Sequence, residues 1–487
     1  MIELAPAEIA AACDARLLAG DEESGAADRA RRAVIDSRAA GSGDLFFGIA
    51  GEHADGGEFA EAAIEAGAWG VVVAEPHASR AAAKADGARV FAVKDPVAAL
   101  GALAARRLQV LRSQGCRVVG ITGSTGKTST KDILVSMLRP VAPARVHASR
   151  ENYNTEIGLP LTVLEAGPET ELLVLEMAMR GMGQIRELAH IAKPDVAVIT
   201  NIGPVHLELV GTIERVAEAK AELIAELPPR AGCVVPAAEE ALRPHLRSDV
   251  KVITFAQAAR SGDDDALTRV ASVADGSADV RALSVEETSG GLRAEIAASG
   301  ERGVLEFGFT ALHNLTNALA GIGAAHALGI PLEALAEGAR EVVFSSLRGE
   351  EVELPGGVLI INDCYNANPV SMRAAIDHLS HLASGRDSGR AVAVLGEMRE
   401  LGPGAEQFHE EVGQLAARAG VALLVTVGSL GGAYARGFGE AGEVRRASDA
   451  SEAAEIVREA IRDRDVVLVK GSRAVGLELV ANTLRAG

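Results

Sequence analysis

The run Gly123-Ser124-Thr125-Gly126-Lys127-Thr128-Ser129-Thr130 restricts what this chain can fold into more than any other segment. An apolar run, Val118-Val119-Gly120-Ile121, precedes it, and residues 131–138 follow with a helical pattern. A strand, a glycine turn and Lys-Thr opening a helix form a phosphate cradle. Backbone N–H groups at the turn and helix N-terminus face the anion, the lysine reaches the outer phosphates, and the hydroxyl suits Mg²⁺. The spacing departs from G-x-x-x-x-G-K-[ST], because Ile121 stands where that pattern has its first glycine. The competing reading is a plain glycine turn with an exposed lysine; the flanking strand and helix favour the cradle.

A chain of 487 residues exceeds one hydrophobic core, and about three domains are expected. The predicted fold class is α/β: a first domain over residues 1–112, a central P-loop-type parallel sheet with a small antiparallel β insertion over 113–339, and a Rossmann-like α/β domain over 340–487. Short apolar runs at 44–49, 70–74 and 90–93 alternate with alanine-rich helical patterns in the first part. From Cys116 onward, continuous apolar runs at 118–121, 172–175 and 196–199 read as parallel strands covered on both faces. Between 270 and 309 the period becomes two, with turns expected at Asp275-Gly276 and Gly290-Gly291. Further runs at 358–361, 391–395, 423–427 and 466–469 predict the last sheet.

The formal net charge of -19 opposes nucleic acid and anionic membranes as partners. Cys13, Cys116, Cys233 and Cys364 are widely spaced, which predicts buried thiols and no zinc site or disulfide framework. No segment reads as a signal peptide or membrane span, so a cytoplasmic protein is expected. Asp263-Asp264-Asp265 reads as a solvated loop. An acidic three-domain chain without an evident apolar stripe is expected to be a monomer.

Ligands of open parallel sheets lie beyond the carboxyl ends of the strands. Glu176 ends the run Leu172-Leu173-Val174-Leu175 and is placed to hold Mg²⁺, the alternative being a capping carboxylate. His206 lies in the loop after the next strand, as a metal ligand or a structural histidine. Thr212 and Glu214 suit a helix start, and Lys220 reads as a solvent-facing helix lysine on spacing alone.

Five ordered motifs together resemble the Mur ligases of peptidoglycan synthesis: the cradle, the Glu176 strand end, Thr200-Asn201-Ile202-Gly203-Pro204-Val205-His206-Leu207-Glu208, Ala219-Lys220, and His313-Asn314-Leu315-Thr316-Asn317-Ala318. The resemblance implies an ATP-dependent ligase. In it Gly123, Ser124, Thr125, Gly126, Lys127, Thr128 and Ser129 hold the phosphates, and Asn314 and Asn317 read the adenine. Thr128 and Glu176 hold one Mg²⁺, His206 a second, and Lys220 carries a CO₂-derived carbamate that turns a cation into an anionic ligand. Asp363-Cys364-Tyr365-Asn366-Ala367-Asn368-Pro369 is similar to the run of the member that adds D-alanyl-D-alanine to UDP-N-acetylmuramoyl-tripeptide. That likeness implies Asp363 and Tyr365 toward the nucleotide, Asn366 and Asn368 near the dipeptide, and Arg348 near the phosphates. Gly396-Glu397-Met398-Arg399-Glu400-Leu401-Gly402 and Val469-Lys470-Gly471-Ser472-Arg473 also fit this member, without an assigned role.

In the first domain Asp36-Ser37-Arg38 resembles the uridine-diphosphate-binding pattern, which implies Ser37 and Arg38 as substrate residues. Gly57 stands where a histidine is frequent in the family. Asn152, Asn154 and Thr155 resemble the loop facing the nucleotide-sugar substrate. The competing functions are a folate or polypeptide amide ligase of the same superfamily, and a nucleotide-binding regulator without ligase activity.

Overall fold

Apolar runs of four to six residues separated by amphipathic helices become parallel strands, because each strand then has both faces covered. The computed structural model describes residues 2, 4–21, 29–143, 145–260, 270–273 and 278–486. The acidic run at 263–265 and the turn expected at Asp275-Gly276 lie outside the described residues.

The first sheet has five strands in the spatial order Arg16–Ala19, Arg89–Val93, Gly70–Ala74, Asp44–Gly48, Arg32–Val34. Its first pair is antiparallel and the others are parallel. The helix Pro96–Ser113 leads out of it, capped by Asp95, whose carboxylate accepts from the Val97 and Ala98 amides.

The central sheet has nine strands. Val146–Ala148, Leu172–Glu176, Arg117–Thr122, Val196–Ile199, Gly232–Pro236 and Lys251–Phe255 run parallel in that spatial order. The strands Val280–Thr288, Gly291–Ala298 and Glu301–Phe307 form the antiparallel part expected from the period of two. They extend the edge of the parallel sheet through the pairing of Val280 with Phe255. Arg117–Thr122 sits between Leu172–Glu176 and Val196–Ile199, with Ile121 opposite Glu176 and Thr122 opposite Ile199. This register brings three strand ends to one place, where the order of connections reverses.

The last sheet has six strands in the order Glu350–Glu353, Leu359–Asn362, Val466–Lys470, Ala391–Gly396, Val421–Val427, Glu443–Ala447. All neighbours are parallel except the first pair. The outer strands Glu350–Glu353 and Glu443–Ala447 join through backbone pairing although their side chains are mostly charged. Among the described residues no helix is long and apolar enough to cross a membrane. The four cysteines are free and buried, and burial pushes the thiols of Cys13, Cys233 and Cys364 up to about 12.

Candidate active site

The phosphate cradle lies at the end of Arg117–Thr122, and the helix Lys127–Leu138 starts from Gly126 in the left-handed region. Gly126 has φ +76°, and a Cβ there would stand 2.3 Å from Asn317 Oδ1. At Gly123 a Cβ would fall 1.9 Å from Thr200 Oγ1. The turn is therefore packed against the Asn317 and Thr200 side chains, with no room for a Cβ at these two glycines.

The neighbouring strand end holds the turn in shape. Thr125 N–H donates to Asn201 Oδ1 at 2.9 Å, and the Ser124 amide donates to the Asn201 carbonyl at 3.1 Å. Gly203 N–H donates to Ser124 Oγ at 2.9 Å. Ser124, Thr125 and Gly126 thus form a preset loop, and Ser129 is half-buried in the first turn of the helix. Lys127 Nζ donates to the Gly123 carbonyl at 2.9 Å. Burial pushes the Lys127 ammonium below its ordinary value, opposed by Glu176 and reinforced by Arg348.

Glu176 is 2% exposed. Its Oε2 accepts from the Thr128 hydroxyl at 2.8 Å and its Oε1 from the Asn154 amide at 2.8 Å. A buried carboxylate satisfied by neutral donors suits a hard cation delivered with phosphate. Asn154 thus lies on the candidate metal carboxylate. Asn152 and Thr155 are exposed in the same loop, where the Asn152 carbonyl accepts from the Asn154 amide at 2.7 Å. Ser149, which sequence reasoning missed, accepts from the Glu176 amide through its Oγ at 3.1 Å.

Lys220 lies on the helix Ile213–Ala225, whose first turn is capped by Thr212. The solvent-facing alternative is corrected here: the side chain is buried at 2% exposure, on a helix packed against the helix Gln184–Ala192 and the strands Val196–Ile199 and Arg117–Thr122. No hydrogen bond or ion pair to its ammonium occurs among the described residues. Burial pushes it well below the ordinary lysine value, and repulsion from Lys127 adds to this. A lowered value favours the neutral, nucleophilic amine that addition to CO₂ requires.

His206 takes φ +53° and caps the short helix Leu207–Val210. Its Nδ1 is 2.5 Å from Glu400 Oε2, a residue of the last domain. Among the described residues no three His, Cys, Asp or Glu side chains cluster as a ready-made metal site. The expected ligands are instead a hydroxyl, one carboxylate, one imidazole and a lysine that needs modification.

The last domain reaches this site through Arg348, whose Nη2 donates to Thr128 Oγ1 at 3.1 Å. The guanidinium carbon lies 3.8 Å from the centre of the Tyr365 ring. Its Nε is buried without a hydrogen-bond partner among the described residues, an orphan donor beside the cradle that an anionic phosphate would satisfy. Asp132, on the P-loop helix, fixes the approach: its carboxylate accepts from the Ser345 amide at 2.8 Å and the Ser345 hydroxyl at 3.2 Å.

Asn314 and Asn317 are buried in the helix Leu312–Ala327, and Asn317 Nδ2 donates to Asn314 Oδ1 at 3.1 Å. They sit inside the helix, whose N-cap is Ala311, so capping is not their work. Asp363 pairs with buried Lys470 at 2.6 Å. Lys470 also donates to the Asn366 carbonyl at 3.1 Å, so a lysine without an assigned role organises this loop. Asn368 is the N-cap of the helix Pro369–Ser384, accepting from the Ser371 amide at 3.0 Å. Asn366 accepts from the Ala367 amide. Ser37 and Arg38 are remote from the cradle in sequence; Arg38 is exposed and paired with Asp36 at 2.7 Å. The space beside Gly57 is filled by His77, whose Cδ2 would lie 2.4 Å from a Cβ at that position.

Three family descriptions match the chain: Mur ligase family, catalytic domain, over residues 32–108; Mur ligase middle domain over 121–325; and Mur ligase, glutamate ligase domain, over 347–473. A UDP-N-acetylmuramoyl-tripeptide–D-alanyl-D-alanine ligase of Bacillus subtilis is 34% identical over 458 residues, covering 93% of this chain and 92% of the relative. The Escherichia coli protein of that description is 30% identical, with 93% of each chain covered. Among solved structures, MurF from Acinetobacter baumannii superposes with a TM-score of 0.83 at 26% identity over 98% of both chains. MurF ligase from Thermotoga maritima, in complex with ADP, gives 0.78 at 28% identity, covering 94% of this chain and 97% of that one.

Proposed function

The chain belongs to the Mur ligase family, and on that premise we propose that it joins UDP-N-acetylmuramoyl-tripeptide to D-alanyl-D-alanine, with ATP, to give UDP-N-acetylmuramoyl-pentapeptide, ADP and phosphate. The observation that carries this is likeness along nearly the whole chain to relatives of that description, coupled to an orphan Arg348 donor beside a preset cradle.

Hydroxide leaves a carboxylate poorly, so the acid must be activated. The terminal carboxylate of the tripeptide attacks the γ-phosphorus of ATP; the bond to the bridging oxygen breaks and ADP departs. The dipeptide amine then attacks the acyl carbon of the acyl phosphate, loses its proton, and phosphate leaves. Positioning and charge neutralisation are the protein's task. Lys127 and Arg348 face the transferring phosphoryl group, and the amides of Gly123 through Ser129 cradle its neighbours. Asn314 and Asn317 would read the adenine, and Asp363 and Tyr365 would lie toward the nucleotide.

Thr128 and Glu176 would hold one Mg²⁺, and His206 with carbamylated Lys220 a second; when bound, these ions neutralise phosphate charge. Carbamylation needs the neutral Lys220 amine to attack CO₂, forming the N–C bond and releasing one proton to solvent. The burial of Lys220 without a carboxylate partner supports it. Residues 1–112, with Ser37 and Arg38, would take the uridine diphosphate; Asn152, Asn154 and Thr155 the sugar side; and Asn366 and Asn368, within residues 340–487, the dipeptide. A cytoplasmic monomer fits a reaction of small soluble precursors.

Phosphate release from ATP, with each substrate omitted in turn, tests the reading. Release that requires both substrates, with a product heavier by the dipeptide, is expected. Release with a different amine or acid would overturn the assignment of the last domain.

A further inference from the structure

Glu400 sits in the loop that follows the strand Ala391–Gly396, 194 positions from the histidine it touches. That loop is pinned on both sides. The Met398 amide donates to His409 Nε2 at 3.0 Å, and the Arg399 amide donates to Ser472 Oγ at 3.0 Å. Ser472 N–H in turn donates to the Glu397 carbonyl at 3.0 Å. Leu401 is buried on the far side. Between these anchors Glu400 takes φ +62°, a left-handed conformation that a glutamate adopts only when its surroundings hold it there.

The opposing residue is held in the same way. His206 takes φ +53° at the start of a helix of four residues, and its carbonyl accepts from the Leu209 and Val210 amides. The two loops meet along their backbones as well: the Glu208 amide approaches the Glu400 carbonyl at 3.4 Å. A Cβ on Gly402 would lie 3.3 Å from Glu208 Cα, so the loop passes with no space to spare. Two left-handed non-glycine residues from different domains, side chain to side chain, indicate a contact that the fold maintains against local strain.

A carboxylate accepts and does not donate, so the ring atom facing it must carry the proton. The bond from Nδ1 to Glu400 therefore leaves Nε2 as the nitrogen with a free lone pair. Glu400 Oε1 lies 3.7 Å from Arg180 Nε, so each carboxylate oxygen already has a partner. This disfavours Glu400 as a ligand itself and suits a carboxylate that aims the histidine.

We infer that Glu400 is a positioning residue: it reaches across the domain seam, fixes the Nδ1–H form of His206, and thereby presents Nε2 to a divalent cation. The inference rests on the reading of His206 as a metal ligand. It gives domain docking a chemical consequence, because the histidine is aimed only while the loop at 398–402 is seated on the loop at 203–208.

The test uses the full chain with ADP and Mn²⁺ as the probe, free Mn²⁺ being read by electron paramagnetic resonance. Ring ¹⁵N shifts of His206 in the metal-free protein report the tautomer. Glu400→Ala is expected to weaken one Mn²⁺ site about 10–100-fold and to convert His206 into a mixture of tautomers. Turnover should fall through kcat, with KM for the dipeptide little changed. Glu400→Gln, whose amide oxygen still accepts from Nδ1–H, should restore most of the Mn²⁺ affinity. Wild-type Mn²⁺ binding and an unchanged tautomer in Glu400→Ala, beside a lost site in His206→Ala, would overturn the role of Glu400 alone. Retention of every Mn²⁺ site in His206→Ala would overturn both the histidine's role as ligand and the inference built on it.

Discussion

The cradle and the seam that faces it reach the same ground by different means. At the cradle, residues 123–128 bond to the ends of adjoining strands of one sheet, through backbone amides and the side chains of Asn201 and Thr200. Across the seam the last domain contributes single side chains: Arg348 on Thr128, Glu400 on His206, and the Ser345 anchor on Asp132. A preset backbone loop keeps its amides in place for an anion without help from a second domain. Side chains carried on a separate sheet act only when that sheet is in place, so they suit control of chemistry.

The largest effect should come from the cradle. Lys127→Ala is expected to lower turnover about 10³-fold while the melting temperature stays near wild type. Phosphate release near the wild-type rate would break the claim that the cradle carries the main cationic charge. Lys220→Ala should be nearly as damaging, and short carboxylic acids should partly restore it by standing in for the carbamate. Full activity of that variant without added acid would remove the carbamate from the mechanism.

On the seam side, Arg348→Ala should cost about 10²-fold in kcat with nucleotide affinity less affected. Arg348→Lys should recover little, since lysine lacks the planar group that stacks on Tyr365. If nucleotide affinity falls as much as kcat, the arginine serves ground-state binding and the contrast between the two regions weakens. Asp132→Ala touches no substrate; loss of the Ser345 anchor should lower kcat about tenfold, read against unchanged ATP binding in the same preparation.

The smallest effect is a pH dependence confined to the seam. Burial, with repulsion from His378, pushes His313 from the ordinary 6.5 to about 4; Asp363 opposes this and Lys470 adds to it. A histidine whose folded value is depressed stays neutral in the native state while the unfolded chain takes up a proton. Stability on this account is complete above 6.5 and is lost as pH falls toward 4. His313→Gln should flatten that part of the curve in urea titrations at several pH values. An unchanged slope would show that the loss arises elsewhere.

Much of the fold was legible. Strands with both faces covered announce themselves as unbroken apolar runs, such as 118–121, 172–175 and 466–469, and each stands in a sheet. Eight of the described strands escaped: Arg16–Ala19, Arg32–Val34, Val146–Ala148, Gly232–Pro236, Lys251–Phe255, Gln257–Arg260, Glu350–Glu353 and Glu443–Ala447. Six of them lie at sheet edges, whereas Gly232–Pro236 and Lys251–Phe255 lie inside the central sheet. An edge strand is held by backbone bonds on one side, so its side chains need no apolar pattern, and charges there oppose edge-to-edge pairing.

The chain alone determined the chemistry-bearing motifs, because a phosphate turn needs glycines, lysine and a hydroxyl at fixed local spacing. It also determined most of the sheets' interior strands, whose burial writes itself into composition, though not Gly232–Pro236 and Lys251–Phe255. Tertiary structure decided what each motif residue is doing. Lys220 sits where spacing suggests solvent, yet burial strips its ammonium of water and of any carboxylate partner. Asn368 lies in a motif that implies substrate, and it caps a helix. Glu400 and His206 are 194 positions apart and meet because two sheets dock. Short-range spacing records backbone geometry, whereas desolvation and contacts between domains depend on what the rest of the chain brings to the same place.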